Sequence, residues 1–183
     1  MRTKLFLILL MVSLTAAFLY AHRPFSFRMS AFVTDLEARS PEQRLNIERA
    51  GQLLSGTILK SGELLSLNEK TGPFTEARGF LPERTYVERK TVDLSGGGVC
   101  QLASTLYNAG LKAGLQITER VPHSGEVRSV PKGRDATVAY GVADLKLRNP
   151  YPFPVKIVSS VAQGQLKIEI WGKESLNDES IAL

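Results

Sequence analysis

Apolar residues recur along this chain with three different periods, and each predicts a different element. Leu5 to Ala21 is an almost continuous apolar run, broken only by Ser13 and Thr15 and preceded by the short basic stretch Met1 to Lys4. An apolar run behind a basic start predicts a signal peptide or signal anchor over residues 1–21. Thr15-Ala16-Ala17 offers a cleavage site, whereas Leu19-Tyr20-Ala21 places a bulky leucine where a small residue is wanted, so the reading leans to an uncleaved anchor. Arg2 and Lys4 hold the start inside, which puts the rest of the chain outside the cytoplasm.

The second period is helical. Ser40-Pro41-Glu42-Gln43 combines an N-cap, a proline at the first helical position and a capping-box glutamine, and Leu45, Ala50, Leu53 and Leu54 follow at helical spacing. A helix over 41–55 closed by Gly56 is expected. From Val99 to Ala113 the residues Leu102, Leu106, Ala109 and Ala113 fall on one face, with Gln101, Ser104, Thr105 and Asn108 on others, and Gly114 ends the helix.

The third period is two. Val155 and Ile157 precede Gln163-Gly164, after which Leu166, Ile168 and Ile170 alternate with Lys167 and Glu169, predicting a hairpin. Short strands are also expected within 57–67, about a Ser61-Gly62 turn, and over 85–89, 115–120, 127–130, 137–140 and 144–148. Residues 68–84, with Gly72-Pro73, Gly79 and Pro82, read as a long irregular loop, and 22–40 as a juxtamembrane linker. The fold class is α+β: one domain over 41–175, a central helix packed on a mostly antiparallel sheet, with a polar tail over 176–183.

Composition changes this picture little. The chain has 183 residues, 43% hydrophobic and 22% charged, enough for one core. Its formal charge of +5 includes Arg2 and Lys4 and is scattered, so nucleic acid is not expected as a partner.

The cysteine count matters more. Cys100 is the single cysteine, so no intramolecular disulfide forms, and a lone thiol in an oxidising compartment asks for a chemical reason. It stands in Ser95-Gly96-Gly97-Gly98-Val99-Cys100-Gln101, at the start of a predicted helix. The positive end of a helix favours a thiolate, and the glycines allow unusual backbone angles and close approach of a substrate. A phosphate loop would end in Gly-Lys-Ser/Thr, which this run does not.

A nucleophilic cysteine needs a base and a group that orients it. Of the two histidines, His22 falls in the linker, leaving His123 as the general acid/base and Asp135 as the orienting acid. Gly97, Gly98, Gln101 and Ser124 are candidates for holding substrate or an oxyanion. Glu119, Glu126 and Asp144 are the acidic alternatives, and Tyr107, Tyr140 and Asn149 are further pocket candidates. A Cys-His-Asp zinc site lacks paired ligand spacing, so neither metal nor cofactor is expected. The order of cysteine at a helix start, then histidine, then acid resembles that of papain-like and transglutaminase-like enzymes. Each residue also has a structural reading: a buried thiol, a loop histidine, a turn aspartate.

The stretch from Gly96 through Cys100-Gln101-Leu102-Ala103-Ser104-Thr105-Leu106-Tyr107-Asn108 to Ala109 resembles the signature of the VanW family, the vancomycin B-type resistance accessory proteins. So do Glu119-Arg120 with His123-Ser124, the run Gly133 to Val138, and Asp144 to Asn149. The resemblance spans about residues 44–160 and implies association with a bacterial cell envelope, in some members with glycopeptide resistance. Two functions are therefore expected as rivals: a cysteine-dependent acyl transferase or hydrolase acting on peptidoglycan peptide or amide bonds, and a non-catalytic module that binds wall peptide or an envelope partner.

Overall fold

The computed structural model describes residues 11, 13, 25–87 and 90–173, of which 83–94 by backbone alone. Nearly all of the predicted leader and the whole tail over 176–183 lie outside the described residues. No helix among the described residues is long and apolar enough to cross a membrane.

The fold is α+β, and the strands among the described residues all pair antiparallel. The predicted hairpin is its backbone. Strands β8 (Val155–Ala162) and β9 (Gln165–Gly172) pair about Gln163-Gly164, and Val155, Ile157, Leu166, Ile168 and Ile170 are fully buried along the inner face. β1 (Phe27–Asp35) joins β9 on one side and β2 (Ile58–Leu59) joins β8 on the other, giving the order β1-β9-β8-β2.

Residues 27–35, expected within the linker, are thus an edge strand of the main sheet. Their inward side chains are mostly hydroxyls: Ser30 donates to Ala109 O at 2.7 Å and Thr34 meets Thr105 at 2.9 Å. An apolar alternation is missing because polar partners wait on the helix above.

That helix, α3 (Val99–Lys112), is the predicted central helix and packs between two sheets. Its apolar face, with Leu102, Leu106 and Ala109 fully buried, lies on β1 and β9. Its other side meets the smaller sheet of β3 (Leu64–Ser66), β7 (Leu145–Arg148) and β6 (Gln116–Arg120), ordered β3-β7-β6. Helix α1 (Pro41–Leu54) packs on β8 and α3, its first turn capped where Ser40 Oγ accepts the Gln43 N–H at 3.1 Å.

The expected short strands within 57–67 exist but do not pair with each other; β2 goes to the large sheet and β3 to the small one. The expected loop 68–84 contains a short helix, α2 (Leu67–Thr71), and a 3₁₀ turn at Glu76–Arg78. Asp144 anchors α2, accepting from Ser66 Oγ and from the Asn68 and Leu145 amides.

A further hairpin, β4 (Pro82–Val87) with β5 (Lys90–Ser95), leads into the glycine run. Residues 127–130, expected as a strand, form no ladder. They belong to a loop between Pro122 and Pro131, whose missing amides suit irregular backbone. Of 137–140, only Thr137 and Ala139 make isolated bridges, to Val121 and Ala143.

Candidate functional site

The site is assembled at the first turn of α3. Gly96 and Gly98 both take left-handed backbone, φ +88° and +92°, and Gly98 is the helix N-cap. The close approach they permit is intramolecular. A Cβ on Gly96 would lie 2.5 Å from Phe74 Cβ, and one on Gly98 would lie 3.0 Å from Gln43 O and 3.2 Å from Ile47 Cδ1. Asn46 fixes the loop further, donating to Gly97 O at 3.2 Å and Leu81 O at 3.0 Å while accepting the Leu81 N–H at 2.7 Å. The glycines expected to admit a substrate thus first serve to seat α3 against α1.

Cys100 follows as the second residue of α3, partly buried, its thiol donating to Val138 O at 3.5 Å. The depressed thiol pKa expected of a helix start is not found. Burial pushes the thiol above its ordinary value, outweighing the Val138 backbone, the Arg39 charge and the Cys100 backbone, which pull it down. At rest the group is a thiol.

The polar residues of α3, read as lying off the core, are all buried. Ser104 Oγ accepts the Ala136 N–H at 3.0 Å, and Asn108 donates to Arg134 O at 2.7 Å, so together they clip residues 134–136 to the helix flank. Thr137 in turn donates its amide to Val121 O at 2.7 Å. This bridge sets His123 opposite Asp135. His123 Nδ1 lies 2.7 Å from Asp135 Oδ2, which also accepts the His123 backbone N–H at 2.6 Å. Arg120 closes the other side of the carboxylate: Nη2 reaches Asp135 Oδ1 at 3.1 Å, Nε donates to Asp135 O at 2.5 Å, and the guanidinium sits 4.9 Å over the Tyr107 ring.

Burial alone would raise the Asp135 pKa, but the bonds from the His123 amide and ring bring it down to about 2. Asp135 is therefore ionised at neutral pH. A neutral His123 then carries its proton on Nδ1, towards the carboxylate, and leaves Nε2 as the base.

Cys100 and His123 line one cleft of about 540 Å³, together with Gly98, Gln101, Arg39 and Arg128. Asp35 and Glu126 bring opposite charge to the same cleft. A second cleft, about 930 Å³, shares His123 and includes Ser124, Arg120 and Lys132. Ser124 therefore lines a different cleft from Cys100. Gln101 is not available to hold an oxyanion: its amide donates to Thr34 Oγ1 at 3.0 Å and Asp35 O at 2.7 Å, and its carbonyl accepts Arg39 Nε at 2.5 Å. Of the alternatives, Glu126 lines the Cys100 cleft and Tyr107 lies under Arg120, and the others lie elsewhere. Glu119 pairs with Lys146 on the surface, and Asn149 ties its own loop to Leu59, Lys60 and Phe153 carbonyls. Tyr140 is exposed beside a separate small cleft that Asp144 also lines.

Sequence reasoning gave no site role to Arg39 or Arg128, nor to Arg120, which it quoted only for the family resemblance. Each is brought in by long-range folding, and an isolated arginine carries no local signal of that.

A family model described as VanW like protein matches residues 42–171, most of the chain. The chain belongs to this family. It is similar to protein YoaR of Bacillus subtilis (strain 168), 31% identical over 150 residues, which is 82% of this chain and 50% of that protein. It is also similar to the vancomycin B-type resistance protein VanW of Enterococcus faecalis (strain ATCC 700802 / V583), 31% identical over 109 residues, 57% of this chain and 40% of that one. The chain thus spans about half the length of the curated relatives it matches. No solved structure matches. Within this VanW domain the matched span contains Cys100, His123 and Asp135, whereas β1 and Arg39 precede it.

Proposed function

We propose that this chain is an extracytoplasmic envelope protein, attached to the membrane through its N-terminal segment, that performs cysteine-dependent acyl transfer or hydrolysis on peptide or amide bonds of peptidoglycan. The observation that carries the reading is the 2.7 Å His123–Asp135 contact in a cleft that His123 shares with Cys100. The likeness to a vancomycin B-type resistance protein supports a role for that activity in wall changes that accompany glycopeptide resistance. The arrangement of thiol, imidazole and carboxylate about a helix start on antiparallel sheet is the basis for extending the papain-like comparison from residue order to mechanism.

In this mechanism His123 Nε2 takes the Cys100 proton as Sγ bonds to the carbonyl carbon of the wall peptide. Asp135 stabilises the imidazolium, and the Cys100 backbone N–H at the start of α3 takes the oxyanion without Gln101. The Val99 and Gln101 amides are already committed, donating to Gly96 O and Gly98 O. Collapse breaks the C–N bond, and His123 passes its proton to the departing amine. Water or an acceptor amine then releases the acyl group from sulfur. Because burial keeps the resting sulfur protonated, activation is coupled to substrate entry.

The raised thiol pKa and the Cys100–Val138 contact favour a second reading, in which the same cleft binds wall peptide or an envelope partner without turnover. Cys100→Ala separates the two. Loss of peptidoglycan modification with peptide binding retained supports catalysis; wall-modifying function that survives the change intact overturns it.

A further inference from the structure

One cation in the cleft is held in a way that its packing does not require. Arg39 lies in the turn between β1 and α1, where its amide donates to Leu36 O at 3.0 Å and its carbonyl accepts Arg44 Nε at 3.1 Å. Its side chain runs into the cleft beside Gly98 and Cys100, where among the described residues only Nε is engaged, donating to Gln101 Oε1 at 2.5 Å. Gln101 is itself buried, 2% exposed, with its amide held by Thr34 and Asp35.

The guanidinium plane is thus fixed from behind by a chain of hydrogen bonds that ends in β1. Among the described residues its two Nη groups have no hydrogen-bond partner, although Asp35 and Glu126 line the same cleft. A fork of two N–H groups, oriented and unpaired, matches the two oxygens of a carboxylate. Its charge is also near enough to the Cys100 sulfur to favour the thiolate. Arg128 reaches the cleft as well, but from an exposed loop and with no fixing bond.

We infer that Arg39 is the carboxylate anchor of the cleft, a specificity residue that seats an anionic peptide with its carboxylate on the guanidinium and its neighbouring carbonyl over Cys100. Gln101 is its positioning residue. The inference deepens the acyl-transfer reading by naming the substrate class, a peptide bearing a free carboxylate. That carboxylate is either the chain terminus or an acidic side chain.

The single cysteine allows a test that does not depend on turnover. Iodoacetate and iodoacetamide alkylate the same sulfur and differ in carrying a carboxylate or its neutral amide. The ratio of their rates at Cys100, read by intact mass at one pH, is compared with the ratio for N-acetylcysteine amide. The wild-type ratio should exceed that reference about tenfold or more, the factor of one charge-assisted hydrogen bond. It should fall to the reference in Arg39→Gln, recover in part in Arg39→Lys, and stay unchanged in Arg128→Gln, with circular dichroism confirming that each variant folds. The same ratio in wild type and Arg39→Gln, or a loss confined to Arg128→Gln, overturns the anchor.

Protection of Cys100 from iodoacetamide then identifies the carboxylate. An N-acetyl dipeptide with a free terminus and neutral side chains is set against one with a C-terminal amide and a glutamate side chain. Arg39-dependent protection by either supports the anchor and names its source; protection by neither overturns it. Wall activity that survives Cys100→Ala while the iodoacetate preference persists removes the catalytic reading and keeps the anchor. Activity that needs Cys100 alongside a ratio indifferent to Arg39 removes the anchor alone.

Discussion

Asp135 Oδ2 receives both the ring Nδ1 and the backbone N–H of His123, at 2.7 and 2.6 Å. One carboxylate oxygen therefore fixes the imidazole twice, in position through the main chain and in tautomer through the ring. Arg120 holds the other oxygen, so the carboxylate cannot turn away. The pair is built before any substrate arrives, and its consequences can be measured.

Asp135 should govern the acid limb of stability. Its pKa lies near 2 in the folded chain against an ordinary 3.8, so the folded state binds its proton less readily than the unfolded state. The stabilisation, about 2 kcal/mol, is fully present above pH ~4 and is lost as pH falls from there to about 2. Urea midpoints measured across that range should drop in wild type, and the drop should be shallower in Asp135→Asn.

The Cys100 thiol should be sluggish in the free protein. With its pKa above the ordinary thiol value, the thiolate fraction at neutral pH is smaller than that of a model thiol. Iodoacetamide labelling should keep rising with pH past about 8.5, the ordinary thiol pKa. A plateau already reached near neutrality would indicate a resting thiolate–imidazolium pair instead.

Gly98 should resist substitution for reasons of backbone and packing together. Left-handed backbone costs a residue with a Cβ about 1–2 kcal/mol. The added methyl also meets Gln43 and Ile47 at 3.0–3.2 Å. Gly98→Ala should lower thermal stability and disturb the first turn of α3, read as a changed rate of Cys100 labelling.

Ser104 should matter to the site without touching substrate. Removing its hydroxyl leaves the buried Ala136 amide without its partner, a cost of about 1–3 kcal/mol. Ser104→Ala should destabilise the chain and loosen Asp135, so the histidine ring resonances of His123 should shift even where the protein remains folded.

These positions also mark how far the sequence could be read. Helix α3 and the β8–β9 hairpin were legible because Leu102, Leu106, Val155, Ile157, Leu166, Ile168 and Ile170 keep one period and one buried face. β1 was not, because Ser30 and Thr34 face inward to meet Ala109 and Thr105, and buried hydroxyls look like solvent positions. The same disguise covered Gln101, Ser104 and Asn108, whose buried amides and hydroxyl hold Arg39 and residues 134–136. His123 and Asp135 were nominated by scarcity and order, and the bridge between Val121 and Thr137 puts them together. Arg39 and Arg120 acquire their meaning only from partners 62 and 15 residues away.

The central claim is that Cys100 carries an acyl group passed to it with the help of His123 and Asp135. Intact-mass measurement of acid-quenched protein after incubation with peptidoglycan peptides tests it most directly. The account predicts an adduct of the acyl peptide's mass on Cys100, absent in Cys100→Ala and formed about a hundredfold or more slowly in His123→Ala. Peptidoglycan modification that continues in Cys100→Ala, with no adduct on the wild-type chain, would contradict it.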